Sequence, residues 1–455
     1  MTKVTGNYHP QKTESLCPHC LSRIPAERRH EGETVVLVKQ CPDHGEFRSP
    51  VWRGSPSYES WSRPKEEVRS GSHQAASARG CPFDCGICPG HRQQSCTVLI
   101  EVTGRCNLAC PYCFADAGDR GEPDPALAVL AARFRSALAA GGPHNIVQLS
   151  GGEPTVRDDL PAIIALGRST GFPFIQVNSN GLRLATEPGY ARELKEAGLF
   201  SVFLQFDGTT DRIYTAIRGQ ALLREKLQAV YHCAAAGLGV VLVPTLVPGV
   251  NTDNIGAILN LALELGPAVR GVHFQPVSHF GRHPQPSAED DRLTLPELLR
   301  AIECQTDGQF LATQFRPPGC EHPLCSFHGN FLRLPGGGVQ PLTSHSTGSC
   351  CAASEPVGKG TGQAVSFVAR QWAAPDPTVM APAEGALSLD GFLENFRSNN
   401  FAVSAMAFQD AWNLDLERVQ ECCIHVAAPD NRMIPFCLYN LTSATGEPLY
   451  RSCHG

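Results

Sequence analysis

The chain has 455 residues, 42% hydrophobic and 18% charged, with a formal net charge of −6. That length predicts about two or three domains around one large core, and the acidic balance argues against a nucleic-acid partner. The opening MTKVTGNYHPQKTESLCPHC lacks the apolar core of a secretory signal, and the longest apolar run, residues 237–250, is too short to span a bilayer and is broken by Pro244 and Pro248. The expectation is a cytoplasmic protein that does not span a membrane. That expectation is compatible with a small-molecule substrate, or with a lipid-like one delivered from a membrane.

Twenty cysteines are the dominant feature. In a short exported chain they would read as a disulfide framework. In a long chain, at gaps of two and three residues, they favour metal ligation.

Four regions follow in chain order. Residues 1–60 carry CPHC and CPDHG around a β-like run, ETVVLVKQC. Cys17, Cys20, Cys41 and His44 resemble the two knuckles of a rubredoxin or zinc ribbon, holding one mononuclear Fe or Zn. Residues 61–97 are polar and then cysteine-dense. In GCPFDCGICPGHRQQSC, Cys81, Cys85, Cys88 and Cys96 are enough to close an auxiliary [4Fe–4S] cluster. A zinc ribbon is the plainer reading, but it usually has two separated Cys-x2-Cys pairs, and this run has one.

Residues 98–300 carry the fold signal. Apolar, β-branched runs recur at 97–103, 145–150, 174–180, 201–208, 240–246 and 272–277, most ending in Gly, Asn, Asp or Pro. Helical patterns lie between them; EPGYARELKEAGLF puts Tyr190, Leu194 and Ala197 on one face before Gly198. Strands alternating with helices predict an α/β fold, a partial (β/α)6 barrel whose working residues sit at strand C-termini. CNLACPYCF follows the first strand, with Cys106, Cys110 and Cys113. A [4Fe–4S] cluster takes one ligand per iron, so three cysteines leave one iron open. A structural zinc with a remote fourth ligand is the plainer alternative.

Residues 301–455 return to irregular, Gly/Pro-rich sequence with GCEHPLC, SCC, ECCIHV, PFCLYN and SCHG. A third cluster could assemble there from Cys320, Cys325, Cys422 or Cys423, and Cys437, as a C-terminal iron–sulfur and substrate-capping region. Cys350, Cys351 and Cys453 complete the set. Cys233 and Cys304 lie in helical patterns and read as packing residues. His273, His279, His322, His328 and His425 are weak acid–base candidates, more often structural. Asp410, Trp412 and Asn413 read as a helix start, with an N-cap role.

These motifs together resemble the radical SAM superfamily. Its C-x3-C-x2-C loop commonly has an aromatic residue just before the last cysteine, and Tyr112 stands there. The resemblance implies that the open iron is chelated by S-adenosylmethionine, which the enzyme cleaves reductively to a carbon-centred radical. It also implies that Gly151, Gly152 and Glu153 in SGGEP hold the methionyl ammonium, and that Asn178 and Asn180 in NSNG contact the ribose. Asp207 in QFDG and Gln275 in HFQP would face cofactor or substrate from later strand ends. Nearly the whole chain, through CPFDCGICPGH, LQFDGTTDRIY…IRG, FQPVSHFGR and ECCIHV…IPFCLYN, is similar to the branch holding tetraether lipid synthase, the methanogen pterin-dimethylating enzymes and the bacterial TrsS group. That implies two to three [4Fe–4S] clusters, a low-potential flavodoxin- or ferredoxin-type electron donor, and C–C bond formation or methylation at an unactivated carbon. A non-catalytic electron-transfer or redox-sensing iron–sulfur protein is the rival class, and a zinc-ribbon interaction module a further one. Neither needs GGEP and NSNG at successive strand ends.

Overall fold

The computed structural model describes residues 10–61, 78–118, 123–142, 145–284, 292–343, 371–374 and 398–451. Cys350, Cys351 and Cys453 lie outside them. Alternating apolar residues in the first region fold as an antiparallel meander of β1 (Gln11–Leu16), β2 (Arg23–Glu31), β3 (Thr34–Cys41) and β4 (Gly45–Arg53). Leu16, Ile24, Val35, Leu37 and Trp52 are buried.

The second sheet has twelve strands. Six of them, β5 (Thr97–Thr103), β6 (Ile146–Gly151), β7 (Ile175–Ser179), β8 (Ser201–Gln205), β9 (Gly239–Val243) and β11 (Val269–Pro276), pair in parallel in that order. They correspond to the six apolar runs of the sequence. The run at 240–246 breaks at Pro244, which has no N–H for the ladder; a two-residue strand, β10 (Thr245–Leu246), resumes beyond it and pairs with β11.

Helices fill the crossovers as right-handed parallel connections require: α1 (Leu127–Gly141), α2 (Leu160–Thr170), α3 (Leu182–Thr186), α4 (Tyr190–Glu196), α5 (Asp211–Arg218), α6 (Leu223–Ala235) and α7 (Ile255–Glu264). Their apolar faces, such as Leu130, Phe134 and Ala137 on α1, cover the outward Val147, Leu149, Val177 and Val202 of the strands. A further helix, α8 (Leu295–Gln305), starts with a Thr294–Glu297 capping box.

Both flanks of the parallel run come from the C-terminal region. After β12 (Ser326–Arg333) and β13 (Val339–Pro341), strand β14 (Asn400–Met406) pairs parallel with β11. The short helix α9 (Leu416–Gln420) follows, and then β15 (Ile424–Ala427) pairs parallel with β5, at the other flank. Strand β16 (Met433–Pro435) and helix α10 (Phe436–Tyr439) complete this part. The helix expected at Asp410 starts at Leu416 instead: Asp415 is the N-cap, accepting from Glu417 N at 3.1 Å, and Asp410 is a buried partner of Arg292 at 2.9 Å.

The ribbon docks on the same C-terminal stretch. Ser15 Oγ donates to Leu414 O at 2.6 Å, Lys39 Nζ to Ala411 O at 2.5 Å, and Arg28 pairs with Asp415 at 3.1 Å. Among the described residues no helix is long and apolar enough to cross a membrane.

Candidate active site

The C-terminal ends of the parallel strands converge on the three-cysteine loop. Gly152 N donates to Thr103 O and Glu153 N to Arg105 O, both at 2.9 Å. The end of β6 is thereby pinned to the loop that leaves β5. The approach is so close that a Cβ on Gly151 would fall 2.1 Å from Thr103 O, and one on Gly152 2.0 Å from Arg105 O. Gly151 also has a φ of +127°, which a side chain would strain.

Glu153 is buried. Its Oε1 accepts from Thr155 N, Thr155 Oγ1 and Ser179 Oγ at 3.0, 2.6 and 2.8 Å, and its Oε2 from Asn180 N at 2.6 Å. Glu153 therefore ties β6 to β7 while still lining the cavity. Asn180 reaches across to Asn107 Oδ1 at 2.7 Å, inside the cysteine loop.

The loop's far side is held by Arg282. Its backbone exchanges two hydrogen bonds with Cys113, at 2.8 and 3.0 Å, and its guanidinium reaches Cys110 O at 2.8 Å and Ala117 O at 3.1 Å. Cys106, Cys110 and Cys113 all line one wall of the cavity. Leu108 N and Ala117 N donate to Cys106 Sγ and Cys113 Sγ, each at 3.4 Å. Burial pushes the Cys106 thiol up to about 12 and raises Cys110. Thiols gathered in such a place suit a cationic cluster, whose binding expels their protons, and N–H···S bonds are among the features that tune a cluster's potential.

The cavity holds about 270 Å³ and runs from this loop down into the barrel. Gly151, Gly152, Glu153, Asn178, Asn180, Tyr112 and Gln275 line it beside the cysteines. The Asn178 Oδ1 is buried and has no hydrogen-bond partner among the described residues, an acceptor that a hydroxyl-bearing ligand would satisfy. Phe203, His273 and Trp372 form an aromatic side: Trp372 meets Phe203 edge-on at 5.0 Å, and His273 lies 5.8 Å from it. Burial lowers His273 to about 4, so its imidazole is neutral. Trp372 can sit so deep because Gly239 has no side chain; a Cβ there would lie 2.0 Å from Trp372 O.

Comparison with known proteins supplies the relationship. Residues 100–262 match the model of the radical SAM superfamily. The 7,8-dihydro-6-hydroxymethylpterin dimethyltransferase of Methanocaldococcus jannaschii is 34% identical over 94% of this chain and 93% of its own. The chain belongs to the radical SAM superfamily. The GTP 3',8-cyclase of Listeria welshimeri is 27% identical over 56% of this chain and 74% of its own. Residues 9–53 match the model of the HMPTM N-terminal zinc ribbon domain. Among solved structures, Streptococcus suis SuiB with its precursor peptide SuiA overlaps 48% of this chain and 46% of its own, at 16% identity and a TM-score of 0.40.

In this radical SAM enzyme Asp207 departs from its expected place. It does not line the cavity. Its fully buried carboxylate is held by Arg218, Nε to Oδ2 at 2.7 Å and Nη2 to Oδ1 at 2.8 Å, and accepts from Thr245 N at 3.1 Å. Arg218 is the member that reaches the cavity, donating to Tyr112 O at 3.0 Å within the cysteine loop. Lys226 Nζ lies beneath, donating to Asn180 O at 2.5 Å and Gln205 Oε1 at 3.3 Å. Arg218 and Arg282 stand inside segments that carry the family resemblance, yet their spacing does not reveal what they bind.

The remaining cysteines regroup. Cys81 and Cys85 lie within hydrogen-bond reach of each other, with Cys88 close by. Cys96 Sγ is 3.0 Å from Cys423 Sγ, with Cys320 also in reach. Strand β5 carries Cys96 at its entry, and the pairing of β5 with β15 sets it against the Cys422–Cys423 turn. The five C-terminal candidates divide likewise. Cys325, Cys422, Cys423 and Cys437 line a second, smaller cavity with Arg418, which donates to Cys325 Sγ at 3.2 Å, and burial pushes Cys437 up to about 12.

In the ribbon, Cys17, Cys20, Cys41 and His44 present donors within 4.8 Å of one another. Cys17 Sγ is 3.6 Å and Cys41 Sγ 3.5 Å from His44 Nδ1, and Cys20 Sγ is 3.9 Å from Cys41 Sγ. Those are close to the edges, about 3.5–3.8 Å, of a tetrahedron with zinc-to-ligand bonds.

Cys233 is buried as a packing residue, whereas Cys304 is exposed. His279 packs with Arg292 and Asp410, and His425 is fully buried against Ser95. His328 lies on β12, bridged to Arg316, and His322 lines the smaller cavity.

Proposed function

We propose that this radical SAM enzyme acts on a flat, hydrogen-bonding heterocycle, a reduced pterin or a close analogue, and methylates one of its unactivated carbons. The observation that carries this reading is the cavity lining, with Gln148, Asn178, Gln205 and Gln275 on its walls and Phe203, His273 and Trp372 beside them. Amides at the edge and aromatic rings at the face suit a polar ring. A long hydrocarbon would leave the Gln148 amide oxygen, which makes no hydrogen bond among the described residues, without a partner. The full-length similarity to a pterin dimethyltransferase supports the same choice.

In this reading Cys106, Cys110 and Cys113 hold the open [4Fe–4S] cluster. When bound, that cluster and S-adenosylmethionine supply a reductively generated carbon radical. Gly151, Gly152 and Glu153 receive the methionyl end, Asn178 and Asn180 the ribose, and Tyr112 and Gln275 the remaining cofactor face. Glu153 keeps the ends of β6 and β7 at fixed spacing. Arg218 and Arg282 hold the cysteine loop through its backbone carbonyls, and the neutral His273 offers a hydrogen bond without a charge. Auxiliary clusters are assigned to Cys81, Cys85 and Cys88, and to Cys325, Cys422 and Cys437, and zinc to the ribbon. The electron comes from a low-potential donor of flavodoxin or ferredoxin type.

The test is an anaerobic assay of reduced, iron-reconstituted protein with S-adenosylmethionine and 7,8-dihydro-6-hydroxymethylpterin. The expected result is pterin-stimulated 5'-deoxyadenosine and methionine from one S-adenosylmethionine, and a methylated pterin and S-adenosylhomocysteine from a second that gives its methyl group, with one electron from the donor for each, in protein carrying about twelve irons per chain, four for each cubane. No stimulation by the pterin, with stimulation by a long-chain lipid, would overturn the substrate assignment.

A further inference from the structure

Three polar side chains cross the barrel interior at one level. In the strand register Leu99 on β5 lies beside Gln148 on β6, Gln148 beside Gln176 on β7, and Gln176 beside Ser201 on β8. An all-parallel barrel ordinarily fills such a layer with Val, Ile or Leu. Here Gln176 is 1% exposed and Ser201 fully buried, so their polar atoms must be satisfied internally.

They are satisfied, and in a directional way. Gln176 Nε2 donates to Ser201 Oγ at 2.7 Å, and Gln148 Nε2 donates to Gln176 Oε1 at 3.2 Å. Both ends of the Gln176 amide are thus occupied, and it does not line the cavity. Gln148 does line it. With its Nε2 engaged, Gln148 keeps Oε1, which makes no hydrogen bond among the described residues, as an acceptor at the cavity floor. Gln148 is three residues before Gly151, about 10 Å down the strand from the cysteine loop. That is deep enough for a second molecule to sit beneath a cofactor held at the strand ends. One turn of the pleat higher, the Asn178 Oδ1 is also without a partner.

We propose that Gln148 is a specificity-determining residue, whose Oε1 accepts a hydrogen bond from a ring N–H or amino group of the substrate, and that Gln176 is a positioning residue that fixes its amide through Ser201. This rests on the reading of the substrate as a flat heterocycle. Gln148 selects rings that carry a donor on the edge pointing away from the cofactor. A layer of aliphatic side chains would accept any ring of similar shape.

The test uses the holoenzyme with 7,8-dihydro-6-hydroxymethylpterin as probe, and measures its Kd and the KM and kcat of pterin-dependent 5'-deoxyadenosine formation. Q148L keeps the volume and removes the acceptor, and is expected to weaken pterin binding by roughly tenfold to a hundredfold. A pterin analogue without the ring N–H or amino donor is expected to bind Q148L and wild type alike, which mere packing damage would not allow. Q176L is expected to raise KM severalfold with kcat at saturation unchanged. Pterin binding by Q148L equal to wild type, or an analogue lacking the donor weakened by Q148L as much as the parent pterin, would overturn the assignment while leaving the heterocycle reading intact. Failure of wild-type protein to bind the pterin would instead bring down that reading, and this inference with it.

Discussion

Lys226 is fully buried, and no carboxylate is among its hydrogen-bond partners. Burial lowers it to about 8, only partly opposed by the nearby Asp207. The unfolded chain holds the same amine near its ordinary value of about 10.4. Below pH 8 both states carry the charge, and the folded state bears the whole cost of burying it. Above about pH 10.5 neither does. Stability from this residue therefore rises with pH across that window. Compared with K226M, the wild type is expected to gain on the order of 3 kcal/mol between pH 8 and 10.5, read from denaturant melts at each pH. The ammonium fixes the Asn180 carbonyl, so K226M is also expected to bind S-adenosylmethionine more weakly at neutral pH, as measured by equilibrium binding. At this scale the cysteines were legible in the sequence because ligand spacing is local. The Asp207 contact was not, since its partner Arg218 stands at the far end of the following helix, and a carboxylate after a strand reads the same whether it faces a ligand or a guanidinium.

At the scale of elements, the contact between the end of β6 and the cysteine loop tolerates no side chain. G152A would place a methyl group against Arg105 O and push the two segments apart. The expected outcome is a soluble protein with reduced iron at the three-cysteine site and 5'-deoxyadenosine formation lowered at least about a hundredfold, since small misplacements at a reacting centre have effects of that size. Iron analysis and a substrate-free cleavage assay check it. The six parallel strands were readable because each is a short β-branched run closed by a turn residue. Strands β14 and β15 were not, because each finds its parallel partner far away in sequence. The neighbourhood of Cys96 and Cys423 was hidden for the same cause: the pairing of β5 with β15 brings them together from distant parts of the chain.

For the whole molecule, the C-terminal stretch is the common support. The ribbon lies on residues 411–415, and the sheet is flanked on one side by β14 and on the other by β15. A structural zinc contributes folding energy directly, so C41S is expected to lose the ribbon's metal and to make residues 409–417 susceptible to limited proteolysis, as followed by mass spectrometry. The flanking arrangement also bears on biogenesis. Thr97 must wait for Ile424, over three hundred residues later, before its edge is covered. During synthesis the cysteine loop and its half-built barrel emerge from the ribosome long before the closing strands exist. Contacts of such sequence separation form slowly, and an uncovered edge invites association with other chains. The three-cysteine loop is thus synthesised well before the strand that covers the free edge of β5. The final stretch of chain then fastens the barrel like a clasp.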